Sequence, residues 1–319
     1  MSFPIAVVVP TYNRQFELAQ AVRSVLRQEE VDVEVIVVDD GSSEGALGSV
    51  LDDRRVRVVV TPRPGSGEGA ARNAGIATVA AEWLAFCDDD DLWHPRKLAT
   101  QLDAADGAQW MTCGSAAFSL TRAGRPIVRT VTAPISSEAL LARLQRRGGL
   151  PGGTSGVVVR TDLVREAGGF RNLPIGADWD LWLRLAERAP LAVVADRLVA
   201  NRVHPKSVTA DPLRLRKGMD DVAALHTGAD TSLPVRPDVE VHLRWYAEVA
   251  CRSGQRRLAM AFQNEAATHS GKGTDRLLAL LMFAAPRTVD RARVFRRRWA
   301  IPRHDREEVE RWVSEALRP

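Results

Sequence analysis

Trp83-Leu84-Ala85-Phe86-Cys87-Asp88-Asp89-Asp90-Asp91-Leu92-Trp93-His94-Pro95 is an apolar run that ends in four consecutive aspartates. The apolar half has the length and composition of a buried strand, which puts the acidic half at that strand's carboxyl end. Adjacent carboxylates repel, and each is driven toward its protonated form unless a cation or hydrogen-bond donors intervene. A hard divalent ion, held by one or two carboxylates together with substrate phosphates, meets that need. The tetrad therefore points to a metal–phosphate site. The alternative for an isolated cluster of this kind is a solvated acidic turn.

Upstream, the pattern alternates. Residues 5–9 are a continuous apolar run closed by Pro10, and Phe16, Ala19, Val22, Val25 and Leu26 then recur at helical spacing. Residues 33–38 form a second buried strand ended by Asp39-Asp40-Gly41-Ser42; residues 56–60 form a third, and 68–80 a helix. Short apolar strands alternating with helices predict an α/β fold, with a mostly parallel sheet flanked by helices. In such sheets ligands bind beyond the carboxyl ends of the strands. Those ends carry Pro10-Thr11-Tyr12-Asn13, Asp39-Asp40-Gly41-Ser42 and the aspartate tetrad, three polar clusters on one rim.

From about residue 109 to 203 the pattern is mixed. Strands are expected at 111–120, 127–132, 157–160 and 198–202, and helices near 136–145, 161–166 and 178–187. This stretch completes the sheet and forms an acceptor wall. Beyond Pro212 helical periodicity dominates, which predicts a C-terminal all-helical extension over 211–319 packed on the first 210 residues.

Bulk properties bound the function. The 319 residues are 45% hydrophobic and 26% charged, ordinary for a globular chain with a sizeable core. A net charge of +4, with no nucleic-acid signature, argues against a nucleic-acid partner. Cys87, Cys113 and Cys251 are far apart and form no metal-type pair, which fits a reducing, cytoplasmic setting. The first residues read as a core strand rather than a signal peptide. The longest apolar run, 277–285, is nine residues, far short of the ~20 that span a bilayer.

Several motifs now carry a resemblance. Val9-Pro10-Thr11-Tyr12-Asn13-Arg14, Val37-Val38-Asp39-Asp40-Gly41-Ser42, Ala71-Arg72-Asn73-Ala74-Gly75-Ile76 and the tetrad with Leu92 to Leu98 resemble family 2 glycosyltransferases. Gly168-Gly169-Phe170, Ala177-Asp178-Trp179-Asp180-Leu181-Trp182-Leu183-Arg184 and Arg202-Val203-His204-Pro205 match the family's later signposts. Each motif is weak alone; their order and spacing over roughly residues 4–208 are specific. The resemblance implies a GT-A fold, inversion at the anomeric carbon, and a nucleoside-diphosphate sugar as donor. It divides the catalytic domain, 1–210, into a nucleotide-sugar-binding half, 1–108, and an acceptor-binding half, 109–210.

Residue roles follow from the same resemblance. Asp40 holds the base, Tyr12 stacks on it, and Pro10 and Thr11 add contacts. A carboxylate facing a base accepts an N–H, as from uracil or thymine, which favours a UDP or dTDP carrier without excluding GDP. Arg72 reaches the nucleotide or its diphosphate; otherwise it is a solvated helix arginine. Asp90, supported by Asp88, holds Mn²⁺ or Mg²⁺, with His204 completing the shell. Asp89 reaches the ribose, and Asp91 orients backbone at the turn. Asp178 is the general base that takes the acceptor proton; its alternative is the N-cap of the following helix. The family usually carries glutamate where Ala177 stands, so a supporting carboxylate is missing. Asp180 is expected to bond within its own helix. Thr154, Ser155 and Trp179 are the candidate acceptor contacts, with a core position as the alternative for Trp179.

The tail adds one more expectation. The apolar run 277–285 leads into a segment rich in arginine up to Trp299, and that pairing suits peripheral contact with an anionic membrane at its inner face. A packed helix with a solvated basic face fits equally. Two rival functions remain: a non-catalytic nucleotide-sugar-binding scaffold, against which the tetrad and Asp178 argue, and a nucleotidyltransferase. The latter needs a glycine-rich loop after the first strand, where Pro10-Thr11-Tyr12-Asn13 stands instead.

Overall fold

Ile5 to Val9 have no polar face, so they are stable only with apolar cover on both sides. In the computed structural model they form the middle of β1 (Ile5–Thr11), a wholly buried strand. Residues 5–43, 47, 52–132, 136–203, 211–227, 231–271, 273–286, 288–289, 292–293 and 301–318 are described.

The elements that follow β1 are α1 (Gln15–Leu26), β2 (Val33–Asp39), β3 (Val56–Val60), α2 (Glu68–Thr78) and β4 (Trp83–Phe86). β1 pairs in parallel with β2 on one side (Val7 opposite Val35) and with β4 on the other (Val7 opposite Ala85). β3 extends the parallel set beyond β2. Alternate residues of β1 face different cores. Ile5, Val7 and Val9 pack with Leu18, Val22 and Val25 of α1, whereas Ala6 and Val8 pack with Ala71 and Ile76 of α2. On that second face Gly75 lets α2 approach closely. A Cβ there would lie 2.7 Å from a Val8 methyl and 3.0 Å from a Val38 methyl.

Past β4 the sheet becomes mixed. β5 (Leu92–Trp93), α3 (Lys97–Asp103), β6 (Trp110–Leu120), β7 (Pro126–Val131), α4 (Ser137–Arg147), β8 (Val158–Arg160), α5 (Thr161–Glu166), α6 (Ala177–Ala186) and β9 (Leu191–Arg202) follow in the chain. The sheet order is β3-β2-β1-β4-β8-β6-β9-β5, with β7 on β6. β4–β8, β8–β6, β6–β7 and β9–β5 are antiparallel; β6–β9 is parallel. The sequence pattern reads only the parallel half cleanly, because antiparallel partners here come from residues far apart in the chain. β5, too short to show a period, joins the sheet only through β9. The aspartates between β4 and β5 therefore cross from one part of the sheet to another.

The helices after residue 210 do not stand apart. α7 (Pro212–Leu225) is capped by Asp211, whose carboxylate accepts from the backbone N–H groups of Leu213 and Arg214. α7 and α8 (Val239–Arg252) place Leu215, Val222, Leu243 and Tyr246 in the same core as Ala6 and Val8. α9 (Arg256–Ser270) and α10 (Gly273–Ala284) pack outside α8. α11 (Arg303–Ala316) returns to the sheet, where Val309, Trp312 and Val313 cover Leu92, Phe118 and Val128.

Candidate active site

Three strand ends and two loops build the rim. β1 ends at Thr11, and the next residues turn back through Asn13, whose φ of 54° is left-handed. Asparagine tolerates that conformation because its short side chain bonds locally. Its backbone N–H donates to Ser42 Oγ at 2.9 Å, and its Oδ1 accepts from Ser43 N–H at 2.8 Å, which ties the β1 loop to the β2 loop. Pro10 is buried beside Val38; Tyr12 stands exposed at the rim.

Asp40 is buried, with both oxygens bonded. Oδ1 accepts from Thr61 Oγ1 at 2.7 Å and Ser66 N–H at 2.9 Å; Oδ2 accepts from Gly67 N–H at 2.9 Å. It thus shapes the glycine loop that opens α2. Gly65 and Gly67 have φ of 69° and 91°, which side chains with a Cβ adopt only under strain.

The tetrad faces the same rim, each carboxylate with its own partners. Asp88 accepts from Arg72 Nη2 at 2.7 Å. Asp89 accepts from Thr11 Oγ1 at 2.8 Å and from Arg14 Nη1 at 2.9 Å. Arg14 Nη1 also reaches Asp90 Oδ2 at 2.5 Å. Asp91 accepts from Ser155 Oγ at 2.6 Å, Asn201 Nδ2 at 2.7 Å and the Arg202 backbone N–H at 3.1 Å. Burial pushes the Asp89 carboxyl up to about 7, with Asp90 adding to the rise and Arg14 and Thr11 pulling against it. Arg14 and Arg72 share this rim with four carboxylates, and a further cation fits the charge. Two hard carboxylates on one rim suit Mn²⁺ or Mg²⁺ shared with phosphate oxygens. Among the described residues the only three-ligand cluster of compact geometry is His304, Asp305 and Glu308 on α11, outside the tetrad.

Arg72 is buried, not solvated. Its guanidinium lies 5.4 Å from the centre of the Phe170 ring and 3.3 Å from Glu68, besides its bond to Asp88. Burial works against its charge, but Asp88 and Glu68 outweigh that and raise its pKa above the ordinary value.

Asp178 sits in the first turn of α6, one residue inside the helix; Gly176 occupies the N-cap position, so the capping alternative is excluded. Burial raises the Asp178 pKa above the usual carboxylate range. The Trp179 N–H and the Arg72 charge oppose the rise, and Asp88 adds to it. Asp178, Asp88 and Arg72 line one cavity of about 1020 Å³, which runs from the glycine loop to α7 and α8. Asp180, two residues on, is fully buried and reaches beyond its helix. It accepts from Arg184 Nη2 at 2.6 Å and Arg171 Nη1 at 2.7 Å, and its Oδ1 lies 2.9 Å from His226 Nε2.

The candidate acceptor contacts fare differently. Thr154 lines the cavity. Ser155 is fully buried and serves the tetrad: besides its bond to Asp91, its Oγ accepts from the Asp88 N–H at 2.9 Å. Trp179 is a core residue, its indole N–H donating to Leu144 O at 2.7 Å and only its edge lining the cavity. His204 lies outside the described residues, as does most of the arginine-rich stretch before Trp299. Sequence reasoning missed Arg14, Asn201 and Arg202 as partners of the tetrad. Arg14 was in view, inside a motif already quoted. Arg202 donates from Nε to the Asp90 carbonyl at 3.1 Å and from Nη2 to Gln20 at 2.6 Å.

The family model described as Glycosyl transferase family 2 matches residues 6–124. The succinoglycan biosynthesis protein ExoO of Rhizobium meliloti is 41% identical over 106 residues, 33% of this chain and 30% of that protein. The GalNAc(5)-diNAcBac-PP-undecaprenol beta-1,3-glucosyltransferase of Campylobacter jejuni is 33% identical over 106 residues, 32% of this chain and 34% of its own. The aligned stretch spans only about a third of these relatives' length. Among solved structures, S. aureus TarS in complex with UDP-GlcNAc superposes with a TM-score of 0.58 over 93% of this chain and 90% of that one, at 17% identity. The mannosyltransferase PcManGT from Pyrobaculum calidifontis, in complex with GDP-Man and Mn²⁺, gives 0.56 over 92% and 86%, also at 17%. At such identity the superpositions speak to fold alone. Residues 6–124 thus resemble family 2 glycosyltransferases, and the fold is of the GT-A type.

Proposed function

We propose that this chain transfers a single sugar from a nucleoside-diphosphate sugar to an acceptor hydroxyl, with inversion. The observation that carries this reading is the sharing of one cavity by Asp178, Asp88 and Arg72, close enough that Arg72 and Asp88 both act on the charge of Asp178. As the acceptor oxygen attacks the anomeric carbon, its proton passes to Asp178. The bond from that carbon to the diphosphate oxygen breaks, and the nucleoside diphosphate leaves. A carboxylate whose pKa lies above the ordinary range is a better proton acceptor than an exposed aspartate.

On this reading Asp40 takes an N–H of the base, Tyr12 stacks on it, Pro10 and Thr11 border it, and Asp89 meets the ribose. Arg72 meets the diphosphate. Asp90 and Asp88, with His204, hold Mn²⁺ or Mg²⁺, which when bound neutralises charge on the departing diphosphate. Thr154 and the edge of Trp179 border the acceptor. A uridine or thymidine carrier is favoured, because a carboxylate such as Asp40 accepts the N–H of uracil or thymine and a glucosyltransferase relative from Escherichia coli is named for UDP-Glc.

A thermal-shift panel of UDP, dTDP, GDP, ADP and CMP, with and without Mn²⁺, tests this on the wild type and Asp90→Ala. A ligand at a hundred times its dissociation constant adds about 2.7 kcal/mol. Mn²⁺-dependent stabilisation by one nucleotide, lost in Asp90→Ala, is expected. No response to any nucleotide overturns the reading.

We further place the protein on the cytoplasmic face of a membrane, in peripheral contact. Leu277, Leu280, Leu281 and Phe283 are exposed together on the outer face of α10, and arginines crowd the sequence that follows. No helix among the described residues is long and apolar enough to cross a membrane. Co-sedimentation with phosphatidylglycerol vesicles but not phosphatidylcholine vesicles, reduced in Leu280→Glu, is the expected result; equal recovery from both mixtures removes the idea.

A further inference from the structure

The cavity that holds Asp178 is lined by two unlike sets of charges. Glu68, Asp88 and Asp178 are acidic; Arg143 and Arg147 of α4 and Arg214 of α7 are basic. Arg143 is half-buried and makes no hydrogen bond or ion pair among the described residues. Burial and the charge of Arg147 both push its pKa down from the ordinary value. Arg147 donates to Asp238 at 3.2 Å, and Arg214 is exposed without a carboxylate partner among the described residues.

A helix end explains only part of this. Arg146 and Arg147 stand in the last turn of α4, where cations offset the negative end of the dipole. Arg143 is a turn earlier and half-buried, with no ion-pair partner among the described residues. Partial desolvation of a charge without a counter-charge is costly, and an anionic ligand would offset that cost. Guanidinium groups bind phosphate oxygens in pairs, a geometry that lysine does not offer. Beside the arginines the wall is apolar, with Leu215, Met219, Val241 and the half-buried Trp245.

We infer that the acceptor carries a phosphate-type anion, held by Arg143 and Arg147 with Arg214, while its hydroxyl lies at Asp178 in the same cavity. This rests on the glycosyl-transfer reading above. The donor diphosphate is assigned to Arg72 on that reading, so the two anions have separate cations. A soluble phosphoester and the diphosphate of a lipid carrier share this chemistry.

The test measures binding by titration calorimetry with the nucleotide site first saturated by UDP and Mn²⁺. Three probes are used: glycerol 3-phosphate, farnesyl diphosphate and farnesol. Arg143→Met and Arg143→Lys are compared with the wild type, and unfolding curves verify that both variants are folded. Loss of a charge-assisted bond predicts binding of the phosphate probes weaker by about ten- to a hundredfold in Arg143→Met, with partial recovery in Arg143→Lys. UDP binding is unchanged in both. If both phosphate probes bind, the free phosphate group suffices. If only farnesyl diphosphate binds, the source is a lipid-linked acceptor and the apolar wall takes part. Equal binding of farnesol and farnesyl diphosphate, or wild-type binding by Arg143→Met, overturns the inference while leaving the transferase reading intact. Failure of UDP to bind at the outset overturns the transferase reading instead.

Discussion

Asn73 on α2 and Phe170, 97 residues later, grip each other through two reciprocal hydrogen bonds. Asn73 Nδ2 donates to the Phe170 carbonyl at 2.7 Å, and the Phe170 N–H donates to Asn73 Oδ1 at 2.9 Å. The clasp sets the Phe170 ring beside Arg72 and leaves no room at Gly169, whose φ is 66° and where a Cβ would lie 2.5 Å from Asn73 Oδ1. Asn73→Ala leaves two backbone groups of the turn unpaired and should cost about 1–3 kcal/mol. Urea unfolding measures the loss. Weaker nucleotide binding should accompany it, because Arg72 loses its seat; an unchanged midpoint would show that the clasp is idle.

Gly75 offers a steric counterpart. Gly75→Val inserts methyl groups between α2 and β1, where even a Cβ meets Val8 at 2.7 Å. Overpacking of this kind costs about 1–3 kcal/mol. The expected outcome is a lower thermal midpoint, with partial repair in the double variant Gly75→Val, Val8→Ala.

Asp178→Asn should separate stability from activity. The native pKa of Asp178 is raised, so its burial penalty is absent below the unfolded-state pKa and fully present above the native one. The amide carries no such penalty. The variant should therefore be more stable than the wild type at neutral pH, and the gain should vanish in acid. Sugar transfer should fall by roughly 10²–10⁴-fold. In the wild type the acid limb of the rate profile should lie above the ordinary aspartate range.

Lys97 presents the opposite sign. It is fully buried on α3, its Nζ lies 3.9 Å from the centre of the Trp93 ring, and burial lowers its pKa to about 8. Below that value the native state carries the charge and its full penalty. Between about 8 and the unfolded value near 10.5 the unfolded chain binds the extra proton, so stability rises with pH. Lys97→Met should stabilise the protein at pH 7, and the gain should shrink across that window in chemical denaturation measured at several pH values.

Asp180→Ala should be the most damaging of these changes. It strips Arg184 of its buried counter-charge and detaches His226, at a cost of about 3–5 kcal/mol. Burial opposes ionisation of Asp180, but His226 and Arg184 outweigh it and hold its pKa below the ordinary value. Its stabilisation is therefore present at neutral pH and lost as the pH falls through that depressed value. Acid titration of the wild type and Asp180→Asn by circular dichroism checks both statements.

What could be read from the chain differs between its halves. The parallel strands, the Asp40 turn and the tetrad were legible because each lies in a local pattern of apolar run and polar end. Asp91 shows where that legibility stops. Two of its partners, Ser155 and Asn201, lie 64 and 110 residues away and come from a turn and from β9, whose register no local period announces. Trp179 shows the other limit, because a tryptophan beside a candidate base reads alike whether it faces a sugar or a core. Its bond to Leu144 decides the matter only once α4 and α6 are packed.

The wall of the cavity is drawn from separate stretches of chain. The match to the family ends at residue 124, whereas Arg143, Arg147, Arg214 and Trp245 all come later. Relatives that share the first part can therefore inherit one half of the wall and replace the other. A lineage of such proteins can keep its currency of activated sugar while exchanging what the sugar is attached to, and sequence likeness confined to the first part says little about the product.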